Sequence, residues 1–472
     1  MRSTRLSLLA LLALLVSMVA TFGLARADEV QRYEGTFHDG AKYLIEVPSN
    51  WNGTLLLYSH GYTVGPDNPA RDVGDPVTGA WLLGHGYALG GSSYATTGWA
   101  LEQAFPDQIQ VLDTFDQLVH HHPRRTIAWG HSLGGIITAG LVQLHPERFS
   151  GALPMCGVLA GGVGAWNQGL DSEFVFKTLV APDSPLQLVN ITDPAGNLAL
   201  AISILNAAQA TPQGQARFAL ASAVADVPGW FNPLTPEPAR NDFATQEQNQ
   251  YQWALNPDFF FSFAARAELE QRAGGNPSWN TDVNYRRQLN LSVDRREVEA
   301  LYRRAGLDLD ADLRTLARAP RIQADPGAVH YLERNIVFDG QLHGVPVLTL
   351  HTTGDGLVQV EHEDAYADVV NSVRRQGDLL RQVFVHRAGH CTFTPAETIT
   401  AFQSLVLRLD RGDWGSLGPN RLNQQASALG PQYNVFNGQP VGPEYLRYNA
   451  PEFLREFDTR GEDRDDGDSD DG

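Results

Sequence analysis

The sequence predicts an α/β protein with a mostly parallel central sheet, helices on both faces, and a large, mainly helical insertion. Three observations carry this. Short continuous apolar runs, which suit strands buried on both faces of a parallel sheet, alternate with helical patterns in the manner of βαβ units. The alternation appears twice, before about residue 160 and again after about residue 344. The stretch between is too long for a loop and holds helix patterns instead. No internal repeat is visible.

In chain order, residues 1–27 read as a secretory signal peptide. Arg2 and Arg5 precede an apolar run from Leu6 to Leu24, and Ala25-Arg26-Ala27 supplies a small-x-small cleavage pattern. Residues 28–160 form the first part of the core. Strands are expected at Gln31 to Phe37, Tyr43 to Val47, Leu55 to Ser59, Tyr87 to Ser92, Arg125 to Trp129 and Ala152 to Met155, with helices at Asp107 to His120 and Leu133 to Leu144. Residues 161–343 form the cap, with helix patterns at Asn197 to Asn206, Gln215 to Ala225, Tyr251 to Arg272 and Arg295 to Arg304. The last has Asp294 placed to cap its start, Glu297 three residues on and Gly306 beyond its end.

Residues 344–414 complete the core with a strand at Val345 to His351, a helix at Glu363 to Arg374, a strand at Gln382 to His386 and a helix at Pro395 to Leu409. Residues 415–457 are rich in Asn, Gln, Gly and Pro, with Tyr433, Phe436, Tyr445 and Tyr448 to pin them as a wrap. Residues 458–472 are dominated by acidic side chains and read as a disordered tail.

The net charge is -19, and loss of Arg2, Arg5 and Arg26 with the signal peptide takes it to -22. Such a protein repels polyanions, so neither nucleic acid nor, after signal cleavage, a membrane is an expected partner. No cofactor is implied, and no ligand cluster has the spacing of a zinc site. Oligomeric state is left open. The two cysteines, Cys156 and Cys391, sit in a chain bound for an oxidising compartment, where one disulfide is the simplest expectation.

The chemistry lies at Trp129-Gly130-His131-Ser132-Leu133-Gly134, a Gly-x-Ser-x-Gly pattern directly after an apolar strand and directly before a helix. The turn forces the serine into a strained conformation, and side chains at Gly130 or Gly134 would meet neighbouring backbone. This stretch resembles the nucleophile elbow of lipases and esterases of the α/β-hydrolase superfamily. The resemblance implies that fold, with Ser132 as nucleophile and its acid and base following in that order. Asp355, at the turn after Val345 to His351, is then the acid, and His390, in Arg387-Ala388-Gly389-His390-Cys391, the base. Asp364 and Asp368 read as solvated helix residues, His351 and His386 as packing residues within strands, and His120 to His122 as a surface feature.

Leu55-Leu56-Leu57-Tyr58-Ser59-His60-Gly61-Tyr62 resembles the superfamily's His-Gly oxyanion loop. It implies the Tyr62 and Leu133 amides as oxyanion donors, with His60 and Gly61 supporting the loop. A similar Gly-Tyr-Thr followed by Gly-His-Ser occurs in polyester hydrolases and cutinases, which lack a large cap. That departure counts against polymer substrates. A Cys156–Cys391 bridge would hold the histidine loop somewhat as one does in tannase-like and feruloyl esterases, where a cysteine directly precedes the serine. Here His131 does.

Tyr94 and Trp99 follow a strand at the carboxyl edge of the sheet, where ligands of open α/β folds collect, and are candidate pocket residues. Trp253, Phe259, Phe260, Phe261 and Phe263 form the cap's own core or roof a pocket. The leading function is therefore a secreted serine hydrolase acting on small-molecule carboxylic esters. The alternative is a secreted exopeptidase of the same fold, whose amine-capturing carboxylate would be Glu268 or Glu270.

Overall fold

The computed structural model describes residues 30–455 of the 472. The signal-peptide and acidic-tail expectations therefore lie outside the described residues. A nine-stranded sheet runs in the order β1-β2-β4-β3-β5-β6-β7-β8-β11. Its strands are β1 (Val30–Thr36), β2 (Lys42–Pro48), β3 (Thr54–Ser59), β4 (Ala88–Ser92), β5 (Arg125–His131), β6 (Gly151–Met155), β7 (Val347–Gly354) and β8 (Leu380–Ala388), with β11 (Tyr445–Leu446) at one edge. From β4 to β8 neighbouring strands are parallel, whereas β2 is antiparallel to both β1 and β4, and β11 to β8. The pair β9 (Val435–Phe436) and β10 (Gln439–Pro440) forms a separate hairpin.

The helices of the sheet domain are α1 (Pro76–Gly84), α2 (Leu101–Val119) and α3 (Leu133–Leu144) before the insertion. The insertion carries α4 (Gly161–Val180), α5 (Pro194–Gln209), α6 (Pro212–Ala223), α7 (Phe243–Trp253), α8 (Arg266–Ala273), α9 (Tyr285–Leu291), α10 (Arg295–Ala305), α11 (Leu309–Arg318) and α12 (Pro326–Asn335). After it come α13 (His362–Ser372), α14 (Pro395–Arg411) and α15 (Pro419–Ala428).

The period-two geometry of strands sends alternate side chains to opposite faces. In β3, Leu55 and Leu57 join α2 and α3 residues such as Phe115 and Ile137, while Leu56 and Tyr58 join α1 and α14 residues such as Trp81 and Phe402. This double burial is why the central strands read as unbroken apolar runs. The insertion has an apolar core of its own, built from α4, α6, α10 and their neighbours around Phe176, Phe218 and Leu301.

Three expectations need correction. The pattern at Tyr251 to Arg272 is not one helix: after α7 the chain makes two wider turns, Ala254–Asp258 and Phe261–Ala265, before α8. Pro257, which has no N–H to donate, follows Asn256 across a cis bond there. The helix expected from Asp107 begins at Leu101 instead, with Pro106 tolerated in its early turns. Asp294 precedes α10 but makes no side-chain cap bond; it faces a chamber, and Glu297 beside it is buried.

The C-terminal segment is anchored by paired strand and ring contacts. Tyr445 is buried, and its hydroxyl donates to the Glu397 carbonyl at 2.6 Å, while the Tyr448 ring lies 5.4 Å from that of Phe384. Among the described residues no helix is long and apolar enough to cross a membrane.

Candidate active site

Ser132 occupies the tight turn between β5 and α3 with φ of 60° and ψ of -123°, a region that side chains rarely adopt. Its amide donates to the Met155 carbonyl at 3.0 Å. The flanking glycines are forced: a Cβ on Gly130 would lie 2.5 Å from the Ser59 and Gly134 carbonyl oxygens, and one on Gly134 would overlap the Ser59 carbonyl.

His60 is buried beneath this turn, with Nδ1 2.7 Å from the Gly61 carbonyl and Nε2 3.2 Å from that of Ser93. Burial lowers its pKa, and the ring braces the loop through these two carbonyls. Gly61 lies against Ser132, since a Cβ there would come 3.3 Å from the serine Cβ. Tyr94 does not line a pocket: it is 1% exposed, stacks on His60 at 4.1 Å, and donates its hydroxyl to the His60 carbonyl at 3.1 Å. Its strained φ of 58° turns the ring under the loop rather than toward solvent. Trp99 does line the cavity at Ser132.

Asp355 sits at the end of β7, fully buried, and His390 in the turn after β8. Their contact, Nδ1 to Oδ2, is 2.7 Å. The other oxygen, Oδ1, accepts the amides of Leu357 and Val358, each at 3.0 Å. Burial works against ionisation of Asp355, but His390 and His351 overcome it and hold its pKa at about 2. His390 Nε2 faces Cys391 Sγ at 3.4 Å, and Ser132 Oγ makes no hydrogen bond to this histidine among the described residues. Such contacts often tighten only when substrate is bound.

The histidine loop is held by two devices. Cys391 is disulfide-bonded to Cys156, with Cα atoms 5.4 Å apart, and Cys156 directly follows the Met155 that accepts the Ser132 amide. Arg387, fully buried, pairs with Glu397 at 2.6 and 3.0 Å and donates to the Thr392 carbonyl at 2.8 Å. Glu397 in turn completes a capping box with Thr394 at the start of α14.

His351 is more than a packing residue. Its Nδ1 lies 3.1 Å from Glu363 Oε1, its Nε2 2.9 Å from the Val358 carbonyl and 3.7 Å from Asp355 Oδ2. Burial opposes its charge, yet the two carboxylates raise its pKa to about 10, making it an imidazolium. Glu363 also accepts from Gln382 at 2.6 Å and from Thr349. The sequence offered a faint signal: His351 and Asp355 lie four residues apart, and Glu363 opens the next helix. His386, by contrast, is partly exposed against Trp230.

A cavity of about 150 Å³ opens at Ser132 and Leu133. Tyr62, Trp99, Trp166, Phe259 and Phe261 form its apolar walls. Thus Phe259 and Phe261 serve the pocket, whereas Phe263 packs fully buried against Phe176 and Trp253 against Phe231. Two carboxyl groups also reach the cavity, Glu173 and Asp258, each with one oxygen lacking a partner. Burial pushes Glu173 up to about 7 despite Arg266; at Asp258 burial, then the charge of Asp355, raises the pKa well above the usual range. Glu268 and Glu270 do not line it. Glu268 pairs with Arg272 at 2.5 Å and accepts the Trp99 amide at 3.1 Å, and Glu270 accepts the amides of Asn190 and Ile191. Both are occupied by structural bonds. Among the described residues no group of three or more His, Cys, Asp or Glu side chains is placed to hold a metal ion.

A model of the prolyl oligopeptidase family matches residues 84–161, the segment from the end of α1 through the nucleophile turn to the start of α4. Over 462 residues the chain is 31% identical to an o-phthalyl amidase of Xanthobacter agilis, covering 89% of this chain and 96% of that protein. The chain belongs to the α/β-hydrolase superfamily. This serine hydrolase also aligns with an esterase structure from Aspergillus oryzae (TM-score 0.41, 14% identity, 81% of this chain and 79% of that one). A second alignment is with the acylaminoacyl peptidase of Pyrococcus horikoshii (TM-score 0.39, 10% identity, 88% and 45%).

Proposed function

We propose that this hydrolase is a secreted enzyme that cleaves carboxylic esters of small hydrophobic or aromatic acids through an acyl-enzyme on Ser132. The observation that carries this is a strained serine opening into an aromatic-walled cavity, beside an Asp355–His390 pair joined at 2.7 Å. With Nδ1–H committed to Asp355, His390 presents an unprotonated Nε2 that takes the serine proton as Oγ attacks the carbonyl carbon. Asp355 stabilises the imidazolium that forms. The Tyr62 and Leu133 amides receive the developing oxyanion. Collapse expels the alcohol with the proton returned from Nε2, and water repeats the sequence to release the acid.

Amide cleavage is the second reading, favoured by the likeness to the o-phthalyl amidase of Xanthobacter agilis. An exopeptidase form of it would draw on Glu173 and Asp258, the carboxyl groups that face the cavity, to hold a free amine.

The test is a panel assay of purified residues 28–472 with p-nitrophenyl esters of increasing acyl length, benzoyl p-nitroanilide and aminoacyl p-nitroanilides, with Ser132→Ala as control. Ester turnover that disappears in the variant supports the proposal. Turnover of anilides alone moves the assignment to an amidase or exopeptidase, and turnover that survives in the variant overturns the mechanism.

A further inference from the structure

Glu268 and Arg272 stand one turn apart on α8 of the insertion and pair with each other at 2.5 Å. Both also reach across to residues 96–99, the loop that follows β4 in the sheet domain. Arg272 donates to the Thr97 carbonyl at 2.8 Å, to the Gln103 side chain at 2.9 Å and to the Thr96 hydroxyl at 3.3 Å. Glu268 accepts the Trp99 amide on Oε2 at 3.1 Å, while its Oε1 holds Arg272 Nε at 2.8 Å. One oxygen thus serves the sheet domain and the other the insertion.

The loop is shaped to admit this carboxylate. Gly98 has a φ of 82°, and a Cβ there would lie 2.4 Å from the Glu268 carboxyl carbon, so a side chain would displace the carboxylate from the amide that follows. The Gly98 amide in turn donates to the Thr63 carbonyl at 2.9 Å, and the Thr63 hydroxyl lies 3.3 Å from His60 Nδ1. Gly65 makes the same junction tight, since a Cβ on it would come 2.9 Å from the Thr97 hydroxyl. A continuous chain of contacts therefore runs from α8 through Trp99 and Gly98 to residues 60–63, and Tyr62 lies within it. The Tyr62 ring packs edge-on against Phe261 at 5.2 Å. Burial, then the charge of Glu268, raises the pKa of its phenol above the usual range.

Neither Glu268 nor Arg272 lines the cavity at Ser132. What they fix is the backbone on either side of Tyr62, and oxyanion stabilisation depends on donors already aimed at the place the charged oxygen will take. Taking the Tyr62 amide as the oxyanion donor named above, we propose that Glu268 is a positioning residue for hydrolysis at Ser132: by holding Trp99 and, through Gly98, Thr63, it keeps that amide aimed at the oxyanion and ties its placement to the seating of the insertion.

The experiment compares inhibition of the intact protein by phenyl trifluoromethyl ketone and by phenyl methyl ketone. With the first, Ser132 Oγ bonds to the carbonyl carbon, its proton passes to His390 Nε2, and the carbonyl pair becomes an oxyanion; the second adds far less readily. The ratio of the two affinities reads the oxyanion site and is not moved by a general weakening of the fold. Wild type is expected to favour the trifluoromethyl ketone at least about a hundredfold. Glu268→Ala should cut that preference at least about tenfold. Glu268→Gln, which keeps an acceptor for the Trp99 amide and gives up the charge that holds Arg272, should lose part of it. Arg217→Gln breaks an ion pair to Asp312 within the insertion, at 2.8 Å, and should melt lower with the wild-type preference intact. A preference unchanged in Glu268→Ala, or in Glu268→Gln where the alanine variant does not fold, overturns the role of Glu268, as does an equal loss in Arg217→Gln. A wild type without the preference, or a preference that survives Ser132→Ala, instead overturns the reading of Ser132 and Tyr62 on which that role rests.

Discussion

Replacing His351 by Gln removes a buried positive charge from between two buried carboxylates, and the size of the effect follows from the geometry. At 3.7 Å from Asp355 Oδ2 and an effective dielectric of about 20, the attraction is about 4.5 kcal/mol. The titration of His351 sums more than this pair: burial opposes its charge, and Asp355 and Glu363 together still raise the pKa from 6.5 to about 10, which corresponds to about 5 kcal/mol of linked stability. The two figures overlap and do not add, and breaking a buried ion pair by removing one partner costs about 3–5 kcal/mol.

The sign fixes the pH window. A histidine whose folded pKa exceeds its unfolded value contributes stability that is fully present below about pH 6.5 and is lost as pH rises through about 10. Urea unfolding followed by tryptophan fluorescence should therefore show the variant less stable by about 3–5 kcal/mol at pH 5.5, with the gap closing toward pH 10. A gap that stays constant across that range, or that is absent at pH 5.5, would refute the charged state of His351 and its role in holding Asp355.

Other outcomes follow from individual contacts. Gly134→Ala places a methyl group on the Ser59 carbonyl, so either soluble expression or ester turnover should fall at least a hundredfold, measured on matched preparations. Cys391→Ser opens a bridge between residues 235 apart. The chain-entropy picture puts its contribution at up to about 5 kcal/mol, and kcat/KM should fall even at temperatures where circular dichroism shows the fold intact. Arg387→Met leaves Glu397 buried without its partner, at a cost of about 3–5 kcal/mol read as a lower melting temperature. Tyr94→Phe removes the 3.1 Å bond to the His60 carbonyl, so stability should change by about 1 kcal/mol while turnover reports how far His60 shifts.

The sheet was legible in the sequence because its strands are buried on both faces, and residues such as Leu55, Leu56 and Leu57 leave no polar position to confuse the period. The strand, turn and helix around Ser132 were legible because Gly130 and Gly134 are demanded by backbone sterics, which act locally. What escaped the sequence depends on distant partners. Tyr94 reads as a pocket aromatic by position, yet its ring is claimed by His60, thirty-four residues earlier. Asp294 has every local mark of a helix cap, but the chamber formed with Asp226 and Glu361 takes its side chain. Glu268 and Glu270 look free in a helical pattern and are bound to Arg272 and to the Asn190 and Ile191 amides. The break at Pro257 was visible as a residue, though not as a cis turn inside a longer helical pattern.

The Cys156–Cys391 bridge joins the chain just before the insertion to the chain just after β8. Every peptide bond from residue 156 to residue 391 thus lies inside a covalent ring. A protease that nicks the insertion anywhere in that ring yields two fragments that still travel as a single molecule, and only a reductant parts them. One such cut leaves both halves of the catalytic apparatus joined, so an unchanged band on a non-reducing gel would conceal damage that a reducing gel reveals.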